Sequence, residues 1–166
     1  MKIQPIKDLL TFKSMPYNYT QIDENVSRSA QPTREDYLWL KRSGVTDVIN
    51  FRTLWKKDMS FDEASWAEFL GIRYHHLPSV SAKPDESKIK IFLEMVNSIV
   101  EQGGRVHIHC KAGADRTGMY SFVYKAVKGI GTMAENEREW LARGLNVSKY
   151  PDLMEWTKAF LKKVIK

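Results

Sequence analysis

Cysteine is the scarcest informative residue in this chain: Cys110 is the only one in 166 residues. A lone cysteine cannot close an internal disulfide, so no oxidising compartment is required, and a functional thiol is easiest to keep in a reducing one. The cytoplasm is therefore the expected location. Long apolar runs are missing too. No stretch reaches the length of a bilayer span, and the opening MKIQPIKDLLTFKSMP lacks the apolar core and small-residue cleavage site of a signal peptide. Zinc-finger spacing, an RNP-like strand and a Lys/Arg block are also absent, which argues against a nucleic-acid partner. Without internal repeats or low-complexity segments, a solenoid or a linker array is excluded.

What is present suits one domain spanning residues 1–166. The chain is 43% hydrophobic, long enough for one proper core and too short for two comfortable ones. Trp39, Trp66, Trp140 and Trp156 recur from end to end, against long disorder. A formal net charge of +6 biases the surface towards anionic partners or substrates.

Helix boundaries are legible. Thr33 and Asp36 read as a cap pair before YLWLKRS, stopped by Gly44, and Val45 to Phe51 then read as a strand. Ser60 and Glu63 repeat the pattern before ASWAEFL, Gly71 stops that helix, and Ile72 to Leu77 form the next strand. The loop PSVSAKPDES leads into the amphipathic run IKIFLEMVNSIVEQ, stopped by Gly103 and Gly104, and RVHIH is a further strand. Helices are expected over roughly Thr117 to Val127, over Met133 to Ala142 with Thr132 and Glu135 as cap pair, and over Asp152 to Val164. Residues 15–31 suggest one or two short strands at an edge. Strands alternating with helices predict an α/β fold with a mainly parallel central sheet flanked by helices.

In such a sheet, ligands bind beyond the carboxyl ends of the strands. Residues 106–120, VHIHCKAGADRTGMY, place Cys110 at that position. The small residues Ala112, Gly113 and Ala114 let successive backbone N–H groups face one centre, and the following helix aims its positive end there. Lys111, Ala112, Gly113, Ala114, Asp115, Arg116 and Thr117 thus form a candidate phosphate cradle, in which the planar fork of Arg116 suits two oxygens. The same surroundings favour a thiolate, making Cys110 a standing nucleophile.

This stretch, HCKAGADRTG, resembles the signature loop of the cysteine-dependent protein tyrosine and dual-specificity phosphatases: His-Cys, five residues, then Arg and Thr or Ser. The upstream SRSAQPT is similar to an element of small bacterial, fungal and plant members. The resemblance runs over roughly residues 25–160, and RSAQ also fits tyrosine phosphatase-like phytases. It implies a dual-specificity phosphatase-like fold and a mechanism with no metal and no cofactor. Cys110 would attack phosphorus to form a cysteinyl-phosphate, with Arg116 and the loop amides stabilising the equatorial oxygens. Thr117 resembles the hydroxyl that assists breakdown of that intermediate, or caps the following helix. His109 resembles the histidine that holds the loop in shape, and His107 reads as structural, as do His75 and His76.

The family pattern breaks at the general acid. The loop that usually supplies it offers Ser79, Val80, Ser81 and Ala82 at its early positions, and its first acid is Asp85, equally well explained as a helix start. Asp115, beside Arg116, is the other candidate and the favoured one. The expected substrate is a phosphotyrosine or other phosphoprotein. An inositol polyphosphate or phosphoinositide is the alternative, suggested by Lys111 and by Arg28, Arg52, Lys56, Lys57, Arg73 and Lys83. A phosphotyrosine slot would want an aromatic wall, for which Trp55 or Tyr74 is available. A non-catalytic module that binds phosphorylated ligands is a further alternative.

Overall fold

Four short strands run parallel through the centre of the molecule, which a computed structural model describes over residues 14–53 and 59–165. They are β2 (Val26–Ser29), β3 (Asp47–Asn50), β4 (Arg73–His76) and β5 (Val106–His109). The short β1 (Thr20–Gln21) pairs antiparallel with β2, giving the order β1-β2-β5-β3-β4. Only β1 of the two strands in residues 15–31 is at an edge; β2 lies inside, between β1 and β5, with all its residues buried. Trp55, Lys56 and Lys57 lie outside the described residues.

The helices are α1 (Arg34–Arg42), α2 (Glu63–Phe69), α3 (Glu86–Glu101), α4 (Arg116–Lys128), α5 (Met133–Ala142) and α6 (Leu153–Val164). Reciprocal capping boxes of Thr33 with Asp36 and of Thr132 with Glu135 start α1 and α5, as the sequence predicts. The expected Ser60–Glu63 box does not form. Asp62 caps α2 through the Ser65 N–H, while Glu63, now the first helical residue, turns its carboxylate into the interior.

Side-chain alternation along β3 divides the core into two layers. Val48 packs with Tyr37, Leu40, Ala67 and Ile72 under α1 and α2, whereas Ile49 packs with Phe92, Val96, Ile108 and Val123 under α3 and α4. Register aligns Ser29, His109, Asn50 and His76 at one edge, so the carboxyl ends of all four parallel strands open on the same side. At the opposite end, Asp47 binds Arg73 Nε at 2.8 Å and His75 Nε2 at 2.9 Å. Those hydrogen bonds outweigh the cost of its burial and hold its carboxyl below the ordinary range. Arg73, expected near the ligand, is thus at the far end of the sheet. Among the described residues, no helix is long and apolar enough to cross a membrane.

Candidate active site

The loop after β5 is held from outside by its carbonyl groups. Lys111 O accepts from Gln31 N at 3.0 Å, Gly113 O from Arg28 Nη2 at 2.7 Å, and Ala114 O from Trp140 Nε1 at 3.0 Å. Asn18 Nδ2 adds a contact to Gly113 O at 3.3 Å. With the carbonyls turned to the scaffold, the N–H groups of residues 111–116 find no protein acceptor among the described residues. Successive free N–H groups of this kind form an anion site.

Gly113 is required here. Its φ is +71°, and a Cβ would fall 2.5 Å from Ala30 N, so the loop can press against the end of β2 only without a side chain. Gly118 serves similarly: a Cβ there would meet Trp140 Nε1 at 2.1 Å and push away the indole that holds Ala114.

Cys110 is buried at 2% exposure and belongs to the core cluster under α3 and α4. Arg116 opens α4, and its guanidinium forms no ion pair or hydrogen bond among the described residues. It lines a cleft of about 80 Å³ with Ser79, Ser81, Lys83, Asp85, Lys88 and Tyr120. Thr117 is fully buried, and its hydroxyl has no partner among the described residues. The helix begins at Arg116 with Asp115 as the residue before it, so Thr117 does not cap α4, contrary to that alternative.

Behind Cys110, His109 Nδ1 contacts Cys110 O at 3.2 Å and Nε2 meets Glu63 Oε1 at 2.6 Å. His107 is fixed between Ser27 Oγ and Ser29 Oγ at 2.8 and 2.7 Å, and burial pushes it well below its ordinary pKa, consistent with a structural role.

The two acid candidates have different surroundings. Asp85 is on the wall of the Arg116 cleft and caps α3, accepting from Ser87 N and Oγ at 2.8 and 2.6 Å. The Ser87 hydrogen bonds hold it below the ordinary carboxylate range. Asp115 accepts from Asn146 N at 2.8 Å through Oδ1, which ties the signature loop to the segment between α5 and α6.

Of the basic candidates, Lys83 lines the cleft, and Lys111 is exposed beside the thiol. Arg52 donates to Gln31 Oε1 at 2.9 Å. Arg28 is 1% exposed and supports the loop from behind, so it does not meet a ligand. Tyr74 faces a different cavity, with Phe61 and His76, and donates no wall to the cleft. Sequence reasoning missed Glu63, Trp140 and Lys88. Glu63 was hidden by its fit to a cap, and Trp140 and Lys88 reach the site only through tertiary packing.

Comparison with known proteins agrees with this geometry. A family model described as Tc-R-P, polymorphic toxin system, DSP-PTPase phosphatase, matches residues 23–129. The dual specificity protein phosphatase TpbA of Pseudomonas aeruginosa is 26% identical over 110 residues, 66% of this chain and 47% of TpbA. The chain thus spans about half the length of the curated relatives it matches. The crystal structure of TpbA superposes with a TM-score of 0.69 at 22% identity, covering 89% of this chain and 84% of TpbA's. Another structure of that protein holds phosphotyrosine. A DUF442 protein of Shewanella putrefaciens CN-32 gives 0.72 at 23% identity, covering 99% and 97%. The catalytic core of the PP-IP phosphatase Siw14 of S. cerevisiae, with citrate, gives 0.71 at 15% identity, covering 90% and 91%. These structural likenesses establish the fold, and the family model, spanning more than half of the sequence and including the whole signature loop, shows that the chain belongs to the DSP-PTPase phosphatases of the Tc-R-P family.

Proposed function

We propose that this chain, as one phosphatase domain, hydrolyses phosphoric monoesters through a cysteinyl-phosphate, with phosphotyrosine or another phosphoprotein as substrate. The observation that carries the reading is the loop itself: scaffold-bound carbonyls and amides without a protein acceptor among the described residues follow directly on the only thiol, and the loop ends at Arg116, which forms no ion pair among those residues. The Cys110 sulfur attacks phosphorus, an S–P bond forms, and the ester P–O bond breaks. Arg116 and the amides of residues 111–116 hold the equatorial oxygens, whose charge they match best in the transition state. Asp115 gives the leaving oxygen its proton. Asp85 is the less suited acid, because two donors from Ser87 stabilise its ionised form. Water then attacks phosphorus as the Asp115 carboxylate takes up its proton, the S–P bond breaks, and phosphate leaves with the thiolate and the Asp115 acid restored. Thr117, with its unpartnered hydroxyl, donates to the departing sulfur. The single thiol fits the reducing cytoplasm.

TpbA is the relative that supports a phosphotyrosine substrate. A second reading, an inositol polyphosphate substrate, is favoured by Lys83 and Lys88 beside Arg116 in the cleft, together with the likeness to Siw14. A direct test compares phosphate release from 4-nitrophenyl phosphate, phosphotyrosine peptides and inositol hexakisphosphate. Turnover of the aryl phosphate and the peptides is expected. Preference for the inositol ester would move the assignment to the second reading. Vanadate binding without turnover of any substrate would make the domain a phosphate-binding module.

A further inference from the structure

Glu63 is buried at 1% exposure, where an unpaired carboxylate would be costly. Its Oε1 faces His109 Nε2 at 2.6 Å and the Tyr37 hydroxyl at 2.5 Å, and its Oε2 accepts from Asn50 Nδ2 at 3.2 Å. The orientation of the Asn50 amide is fixed, because its Oδ1 accepts from Arg52 N at 2.9 Å. Convergence of several donors is the environment of an ionised carboxylate. Burial would raise its pKa, yet the His109 charge and the hydrogen bonds from His109, Tyr37 and Gln31 bring it below its ordinary value. His109 then donates from Nε2 to Glu63 and from Nδ1 to Cys110 O, which requires a proton on both nitrogens.

We propose that Glu63 is a positioning residue that keeps the His109 ring protonated on both nitrogens, placing a buried positive charge directly behind Cys110. This rests on the reading of Cys110 as the nucleophile. The other titratable groups facing the pair do not compete with it. Burial raises Tyr37 and lifts Tyr74 to about 12, so both stay neutral, and burial lowers His107, which stays neutral as well. Asp62 points to the α2 cap, Arg52 to Gln31. The ring charge favours the thiolate and anchors the first peptide of the loop.

The only thiol in the chain makes the test direct, because iodoacetamide alkylation reads Cys110 whether or not any ester is turned over. In Glu63→Gln the rate at neutral pH should fall about tenfold, and the pH of half-maximal rate should rise by about one unit. His109→Asn should give the same shift, and the double variant no more than either. Tyr37→Phe removes one buried partner but leaves the carboxylate, so it should lower thermal stability while keeping the wild-type alkylation profile. A wild-type profile in folded Glu63→Gln would overturn the proposal. If that variant does not fold, a wild-type profile in His109→Asn overturns it instead. Loss of phosphatase activity alone, with the profile shift as stated, counts against the proposed turnover and not against this role.

Discussion

The two ends of the parallel sheet handle charge in opposite ways. At the amino ends, the buried Asp47 carboxylate is met by Arg73, His75 and the Thr46 hydroxyl, so the chain itself supplies its partners. At the carboxyl ends, Arg116, Lys111 and Lys83 form no ion pair among the described residues, and the loop amides between them are free. Residues of the same chemical type therefore do different work at the two ends. A charge satisfied by its neighbours contributes to folding, whereas one left unsatisfied by a rigid scaffold contributes to binding an outside anion.

Five substitutions would break or sharpen this contrast. Cys110→Ser, at the open end, should reduce kcat by on the order of 10^5-fold while vanadate binding, read by calorimetry, persists. Arg116→Lys keeps the charge but loses the fork, and steady-state kinetics should show a loss of about 10^3-fold. Asp115→Asn should slow alkyl phosphate hydrolysis by roughly 10^2-fold to 10^4-fold, with little effect on an activated aryl ester that leaves unaided. If Asp85→Asn shows that leaving-group dependence instead, the acid assignment passes to Asp85. The smallest effect is expected at the closed end. Asp47→Asn should leave kcat/KM unchanged and cost about 1–2 kcal/mol in urea unfolding at neutral pH, since the exposed Arg73 partner is solvent-screened. The folded state holds Asp47 below its ordinary range, so its contribution is present above that range and is lost as pH falls through it. Wild type and variant should therefore converge in acid.

Much of the open end was legible in the sequence. The cap pairs of α1 and α5, the glycine stops and the Cys110-to-Arg116 spacing are local features, written in adjacent residues. The placement of Arg28 and Arg73 was not legible. Both looked like ligand-facing cations, but strand order and direction put one behind the loop and the other at the far end of the sheet. Glu63 was misread because capping-box spacing is satisfied in sequence whether or not the side chain has a stronger demand elsewhere. His109, 46 positions away in sequence, supplies that demand. Sequence periodicity reports which face a residue occupies; it carries no information on which distant partner waits there.

The contact between Trp140 and Ala114 gives the protein an optical handle on its own loop. Its indole is 1% exposed and hydrogen-bonded to a signature-loop carbonyl, so its emission is set by an apolar cage and by one peptide group of that loop. Oxyanion binding that shifts that peptide changes the field on the ring, so loop occupancy can be followed by intrinsic fluorescence without a dye or a turnover substrate. Trp39 and Trp156 are only half-buried and make no such bond among the described residues, so they supply the reference against which that signal is read.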